Sequence, residues 1–372
     1  MLYKMIRLFY MKNHFKNKKV LITGHNGFKG TWLSLIMIFF GAKVIGCGLK
    51  KNNDTKFFKF LSDKLYKSHY INICEYNKFS KIINTEKPEF IFHLAAQALV
   101  FESYRSPEYT FKNNIISSIN LLEILRKYKK KVSVVFITSD KVYKNIEKLS
   151  GYNENSILGG DDPYSASKSS IEIILNAYIK SYFLKSNKIK ISIARAGNVI
   201  GGGDWSKNRV IPDLIKSYFN KKKFLIRNPK SERPWQHVLD PLVGYILIII
   251  NLNNGKLNNG EIFNFGPTKK NTVNVGKLSL ILGKELRKSN GYKLKLEKKK
   301  SNLKETNILR LDSTKAKRLL NWKCNLNINN SLKFTSDWYT FYYKNKPKNK
   351  ILDYSISQIQ KYFDKYYENS NK

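Results

Sequence analysis

Short, continuously apolar runs recur through the first half of the chain, each separated from the next by a longer stretch with helical spacing. The runs are "KVLIT" (19–23), "AKVIGCGL" (42–49), "EFIFHLA" (89–95), "VSVVFITS" (132–139) and "KISIARAG" (190–197). They are rich in β-branched residues and lack polar alternation, the pattern of strands buried on both faces. Between them, "FKGTWLSLIMIFFG" (28–41), "EYNKFSKIINT" (75–85), "PEYTFKNNIISSINLLEILRKY" (107–128) and "SASKSSIEIILNAYIKSYF" (165–183) read as helices. Buried strands alternating with helices predict an α/β fold built on a Rossmann-type, doubly wound parallel sheet.

The rhythm breaks after Asn198. A Gly-rich loop, "VIGGGDWSKNRVIPD" (199–213), is followed by a helix, a basic loop and "RPWQHVLD" (233–240). A last strand, "EIFNFG" (261–266), precedes a helix, strand and helix within 272–345. The expected division is a dinucleotide-binding domain of residues 17–197 plus about 237–267. A smaller C-terminal α/β substrate lobe of about 198–236 plus 268–345 is woven into it. Residues 1–16 and 346–372 read as peripheral extensions; the latter is rich in Lys, Asn and Tyr with one helix over 355–366. Met11 opens a natural lead-in to the first strand, so Met1, Met5 and Met11 are each candidate starts.

At 372 residues the chain can bury a full core, and 42% hydrophobic with 13% aromatic residues excludes a disordered chain. The net charge of +41 invites a nucleic-acid reading. Lysine is spread over every segment and arginine is scarce, however, whereas a phosphate-reading surface concentrates its charge and favours arginine. The charge therefore reads as a bias in residue usage, with no nucleic-acid partner. Cys47, Cys74 and Cys324 have no paired spacing; a reducing, cytoplasmic compartment and no metal site are expected. No apolar run reaches the roughly 18 residues needed to span a bilayer.

The turn "TGHNGFKG" joins the first strand to the first helix and spaces Gly24, Gly27 and Gly30 as GxxGxxG. A tight turn, backbone approach to a pyrophosphate and close helix–strand packing each need a glycine, and the helix N-terminus then faces the phosphates. In strand–turn–helix order this is a dinucleotide site. The second strand runs into "GLKKNND", where Lys50 and Lys51 do not discriminate NAD from NADP in so lysine-rich a chain and Asp54 lies past the ribose position.

"DDPYSASKSS" sets Tyr164 and Lys168 four apart on one helix face. An ammonium beside a phenol favours the phenolate, so Tyr164 is expected to have a lowered pKa and to take a proton from a sugar hydroxyl as hydride leaves the carbon. The fourth inner strand runs into "TSDKVY", a hydroxyl, a carboxylate and an amine in a row at Ser139, Asp140 and Lys141.

These residues resemble the extended short-chain dehydrogenase/reductase family, over about residues 17–345. The resemblance rests on the glycine turn, "HLAAQ" (93–97), "TSD" (138–140), "YSASK" (164–168) and "RPWQHV" (233–238). Longer words, "GHNGFKGTWLSL", "GGDDPYSASK", "RAGNVIGGGDW", "NRVIPD" and "ERPWQHVLDPLVGY", narrow it to the NAD-dependent nucleotide-sugar 4,6-dehydratases. The implied reaction is a redox-neutral elimination on a nucleotide sugar, CDP-glucose, in surface-polysaccharide (lipopolysaccharide) biosynthesis.

The resemblance implies Tyr164 as base for the sugar 4-OH, with Lys168 beside it. It implies Ser139 as the hydroxyl that aids this transfer and Asp140 as acid for the departing 6-OH; Thr138 is expected to be structural. Lys141 stands where dTDP-glucose and GDP-mannose relatives place a glutamate base, and is expected either to serve as base with a lowered pKa or to stabilise a developing enolate as a cation. Gly24, Gly27, Phe28, Lys29, Gly30, Leu94, Ala95 and Ala96 would hold NAD. Relatives carry an aspartate for adenine after the third strand; Asn72 stands in that stretch and can still accept a hydrogen bond. Asn198, Arg209, Arg233 and His237 are the implied substrate residues, with His237 equally readable as core and Trp235 as core or pocket lining. The helices within 107–128 and 164–184 would form a homodimer interface. A 4-epimerase on the same fold needs no acid/base pair for elimination, so "SDK" argues against one.

Overall fold

The computed structural model of the chain describes residues 2–50, 57, 66–268, 272–298, 308–345 and 350–369. Seven strands form one parallel sheet: β1 (Lys19–Thr23), β2 (Lys43–Gly48), β3 (Lys67–Tyr70), β4 (Phe90–His93), β5 (Val132–Ile137), β6 (Ile189–Ala196) and β7 (Ile262–Phe265). Their spatial order is β7-β6-β5-β4-β1-β2-β3. Six of the seven match strand runs read from the pattern. β3, "KSHY", is a polar edge strand that apolar periodicity does not reveal. Lys51 and Asp54 lie outside the described residues.

Side chains of successive strand residues point to opposite faces, and the core divides accordingly. Val20 and Ile22 join one cluster with the apolar helix Leu239–Asn253, while Leu21 joins a second with Leu121, Leu125 and Leu175. Every residue of β5 is buried. The strand order reverses between β1 and β4, and a crevice opens at such a switch point outside the carboxyl ends of the strands. All the loops that carry chemistry leave the sheet at that edge.

The 107–128 helix is not continuous: Pro107–Phe111 and Ser117–Lys127 flank a π-helical turn at Lys112–Ile116. Outside the sheet lie the helices Val210–Phe219, Val275–Asn290 and Ile328–Lys344 and short strand pairs. Val199–Ile200 lies beside Gln236–His237, and Phe224–Ile226 beside Leu296–Lys298. No helix among the described residues is long and apolar enough to cross a membrane.

The two terminal segments read as peripheral are packed, and that expectation is corrected. Met11 and Phe15 of the helix Leu2–Phe15 are buried, with the Phe15 ring against Phe40 and Phe90. The helix Lys350–Asn369 buries Ile359, Tyr362, Phe363 and Tyr366; Phe363 stacks on Phe39, and Tyr362 donates to the buried Asp240 carboxylate at 2.8 Å. Their bulk Lys/Asn composition masked an apolar stripe at helical spacing.

Candidate active site

The glycine turn has the geometry its spacing demands. Gly24 has φ +70° and donates its N–H to the Cys47 carbonyl at 2.7 Å. A Cβ on Gly30 would lie 2.1 Å from the Gly24 carbonyl oxygen, so the helix can approach the turn only with glycine there. A Cβ on Gly24 would press the Ala95 backbone at 3.0 Å, which binds the turn closely to "HLAAQ". Gly27 begins the helix Phe28–Phe39 with no side-chain cap and no acidic residue in the first turn. Its leading N–H groups thus remain available to an anion, and the residues present fit a dinucleotide pyrophosphate. Thr23 completes the link: its carbonyl accepts from Leu94 N at 3.2 Å and its hydroxyl from Ala95 N at 3.1 Å. Ala96 follows in the same half-buried loop. Asn72 is turned inward on its own chain, its Oδ1 accepting from Cys74 N at 3.0 Å, so part of its acceptor capacity already serves a local turn.

Asp162 caps the helix Pro163–Tyr178, accepting from Ser165 N at 3.0 Å with Pro163 in the first turn. That start places Tyr164 and Lys168 under the end of β5. Lys168 Nζ donates to the Ile137 carbonyl at 3.4 Å. Tyr164 and Ser139 are hydrogen-bonded through their side chains, and Ser139 Oγ donates to Asp140 Oδ1 at 2.9 Å. Tyr164, Lys168, Ser139 and Asp140 are all buried.

Burial dominates their proton affinities. It pushes the Tyr164 phenol up to about 12, against the opposing pull of the Ser139 hydrogen bond. The expected lowering of Tyr164 is therefore corrected: desolvation exceeds every cationic influence, and Lys168 points its ammonium at a backbone carbonyl. Burial also brings Lys168 down to about 8, with Glu172 acting the other way. The Asp140 carboxyl is raised by burial in spite of Lys141, Lys29 and Arg233. Its Oδ2 has no hydrogen-bond partner among the described residues, and it lies 3.3 Å from where a Cβ on Gly197 would sit. Lys141 is half-buried, and its backbone N–H donates to Ser139 Oγ at 3.3 Å.

Lys29 was placed at the cofactor by its position in the turn, with Phe28 beside it. Its side chain reaches the catalytic cluster, with Nζ 3.4 Å from the Tyr245 hydroxyl. It feels the charges of Asp140, Arg209 and Lys168, and burial lowers it to about 8. Phe28 lies half-buried near Gly201. Arg209 pairs with Asp204 at 3.3 Å and its charge reaches Tyr164. Arg233 donates to the Glu232 carbonyl at 2.8 Å, and its charge reaches Asp140. Asn198 is half-buried at the end of β6, its carbonyl accepting from Gln236 N at 3.1 Å.

His237 is placed elsewhere. It is fully buried, its ring between Trp32 and Phe334, and desolvation holds it neutral with a pKa near 3. As a substrate contact it is corrected to a core residue, because the strand pair Val199–Ile200/Gln236–His237 turns its side chain inward. Trp235 is also core, donating Nε1 to the Val273 carbonyl at 3.1 Å.

Several site residues were not singled out from sequence. Asn114, on the π-helical turn, accepts from Gln97 N at 2.7 Å and donates to Ser167 at 2.8 Å, pinning "HLAAQ" to the Tyr164 helix. π-Bulges occur often at functional sites, but nothing in the residue pattern marks one. His93 is buried between Thr23 and Ser118, 2.9 and 3.1 Å away.

The family described as GDP-mannose 4,6 dehydratase matches residues 21–335. CDP-glucose 4,6-dehydratase of Salmonella typhimurium is 37% identical over 353 residues, spanning 92% of this chain and 98% of the relative. The UDP-glucose 4-epimerase of Thermotoga maritima, solved with UDP-glucose, superposes with a TM-score of 0.76 at 25% identity over 88% of this chain and 100% of that one. A dTDP-glucose 4,6-dehydratase of Bacillus anthracis, solved with NAD, shares the fold with a TM-score of 0.73 at 22% identity over 90% and 99% of the two chains.

Proposed function

The chain belongs to the GDP-mannose 4,6-dehydratase family, and from that premise we propose that it converts CDP-D-glucose to CDP-4-dehydro-6-deoxy-D-glucose and water, with NAD held throughout. The observation that carries this is the meeting of a buried carboxyl whose proton affinity burial raises (Asp140) with Ser139, Tyr164 and Lys168 at one strand end.

NAD, when bound, supplies the acceptor and later the donor of one hydride. Gly24, Gly27 and Gly30 would hold its pyrophosphate at the helix N-terminus, together with Phe28, Lys29, Leu94, Ala95 and Ala96, and Asn72 would serve the adenine. Tyr164, ionised to the phenolate that the charge of Lys168 favours, takes the proton of the sugar 4-OH through Ser139 as the C4 hydride departs, and becomes the neutral phenol. The 4-ketone acidifies the C5 proton. Lys141, beside Asp140, either removes that proton or holds the enolate charge. Asp140 gives its proton to the 6-OH, which leaves as water; a carboxyl raised by burial is suited to donate near neutral pH. With the hydride that bound NAD would supply going to C6 and a proton to C5, the redox balance would be zero.

Asn198 would bind the diphosphate, and Arg209 and Arg233 would offer guanidinium forks to the nucleotide phosphates and ribose. The resemblance gives a glutamate at this position to dTDP-glucose and GDP-mannose relatives, so lysine at 141 speaks for a nucleotide other than theirs. Exposed Tyr109, Ile116, Ile173 and Tyr182 on the helical segments within 107–128 and 163–183 support a homodimer across these helices. A cytoplasmic place in deoxysugar and surface-polysaccharide (lipopolysaccharide) biosynthesis accords with such a product. Separate incubations with CDP-glucose, dTDP-glucose and GDP-mannose, without added NADH, test the reading. A 4-keto sugar chromophore in base from CDP-glucose alone is expected; turnover of only another nucleotide sugar overturns the assignment.

A further inference from the structure

Beneath the strand end that carries Ser139, Asp140 and Lys141 lies an ion pair sealed from solvent. The Arg195 and Glu172 side chains are 2% and 1% exposed. Arg195 Nε donates to both Glu172 carboxylate oxygens, at 3.0 and 2.9 Å, and Nη2 donates to Oε2. Arg195 Nη1 donates to the Tyr143 hydroxyl at 2.6 Å and to the Glu154 carbonyl at 3.1 Å. The carboxylate takes one further donor: the Thr138 hydroxyl, at 2.5 Å.

A buried ion pair adds little net stability, because desolvation offsets the attraction; its best-attested use is to fix one arrangement among several. The placement of this pair says which arrangement. Thr138 immediately precedes Ser139, and Glu172 lies one turn beyond Lys168 on the same helix face. Lys168 itself reaches the Ile137 carbonyl. The strand end with the elimination residues and the helix with the oxidation residues are thus joined at two successive positions, 137 and 138.

We propose that Glu172 is a positioning residue which, through Thr138, holds the Ser139–Asp140–Lys141 turn in register with Tyr164 and Lys168. This rests on the dehydratase reading, in which one sugar must meet both groups within a single binding event. Reacting groups displaced by about 1 Å lose on the order of a hundredfold in rate.

Thr138→Val is nearly isosteric, removes only the hydroxyl and leaves Glu172 with Arg195. In the NAD-loaded full chain, two readouts are taken: amide hydrogen exchange over 139–142, and kcat against KM with CDP-glucose. The expected result is exchange faster by about tenfold and kcat lower by about ten- to a hundredfold, with KM within about twofold and the melting temperature little changed. Thr138→Ser, which keeps the hydroxyl, restores both. Exchange or kcat at the wild-type level in Thr138→Val, or no restoration in Thr138→Ser, overturns the proposal. Should Thr138→Val not fold, Glu172→Asp, which keeps the charge for Arg195 but withdraws the carboxylate from Thr138, decides by the same readouts. A wild-type enzyme inert to CDP-glucose would instead sink the substrate reading, and exchange alone would then decide the role of Glu172.

Discussion

Ser139 and Asp140, adjacent in the chain, also face each other side chain to side chain: Ser139 Oγ donates to Asp140 Oδ1 at 2.9 Å, while Oδ2 is buried without a partner among the described residues. One carboxylate oxygen is held and the other is bare, in a pocket that favours the protonated acid. That is the state required of a donor to a leaving hydroxyl, and Asp140→Asn isolates it. The amide keeps the shape and the Ser139 contact but has no acidic proton. The expected loss in kcat is about a hundredfold or more. C4 oxidation should survive, so bound NADH should accumulate at 340 nm on mixing with substrate.

Lys168, buried, and Lys29, half-buried, give the pH dependence its sign. Desolvation lowers Lys168 from an ordinary 10.5 to about 8, so its charge is present below about pH 8 and lost above. The phenolate-stabilising charge goes with it, and kcat/KM should fall as pH rises through about 8. Lys29 is also lowered to about 8. Lys29→Met separates the two: the alkaline limb should remain in that variant, and should vanish together with most of the activity in Lys168→Met.

Lys141 occupies the third position of the turn, half-buried beside the carboxyl it influences. Lys141→Met should arrest the reaction between oxidation and elimination. Solvent deuterium incorporation at C5 of the product, followed by NMR, should fall by about a hundredfold or more, with bound NADH still forming. Wild-type C5 exchange and C6 reduction in this variant would remove Lys141 from both of its proposed roles.

The C-terminal helix should matter to stability. Tyr362 donates to Asp240, which also accepts from Asn325 N at 2.8 Å. Tyr362→Phe leaves one lone pair of a buried carboxyl unserved, at a cost of about 1–3 kcal/mol. Urea unfolding should show a lower midpoint with an unchanged slope.

Much of this site is legible in one dimension because its parts are local in the chain. Gly24, Gly27 and Gly30 sit in one turn, Tyr164 and Lys168 on one helix face, and Ser139 to Lys141 at one strand end. What the pattern did not reveal depends on long-range packing. The side chain of Lys29 meets Tyr245, more than two hundred positions away, only after the helix Leu239–Asn253 covers the sheet. His237 shares a short word with Arg233, yet a two-residue strand pairing turns one inward and leaves the other half-buried. The proton affinity of Tyr164 went the other way for a related reason. Spacing tells which charge is near, whereas burial, here the larger effect, is a property of the whole fold. The packed termini were hidden by composition, since lysine on the outer helix face outweighs a few apolar residues on the inner one.

The central claim is that one hydride leaves C4 and returns to C6 of the same sugar without leaving the enzyme. CDP-[4-²H]glucose, turned over by the NAD-loaded protein with no added reductant and followed by NMR, tests it directly. The account predicts deuterium in the 6-methyl group of a 4-keto product. Deuterium that remains at C4 of an epimerised sugar, or that is absent from C6 of the product, would contradict it.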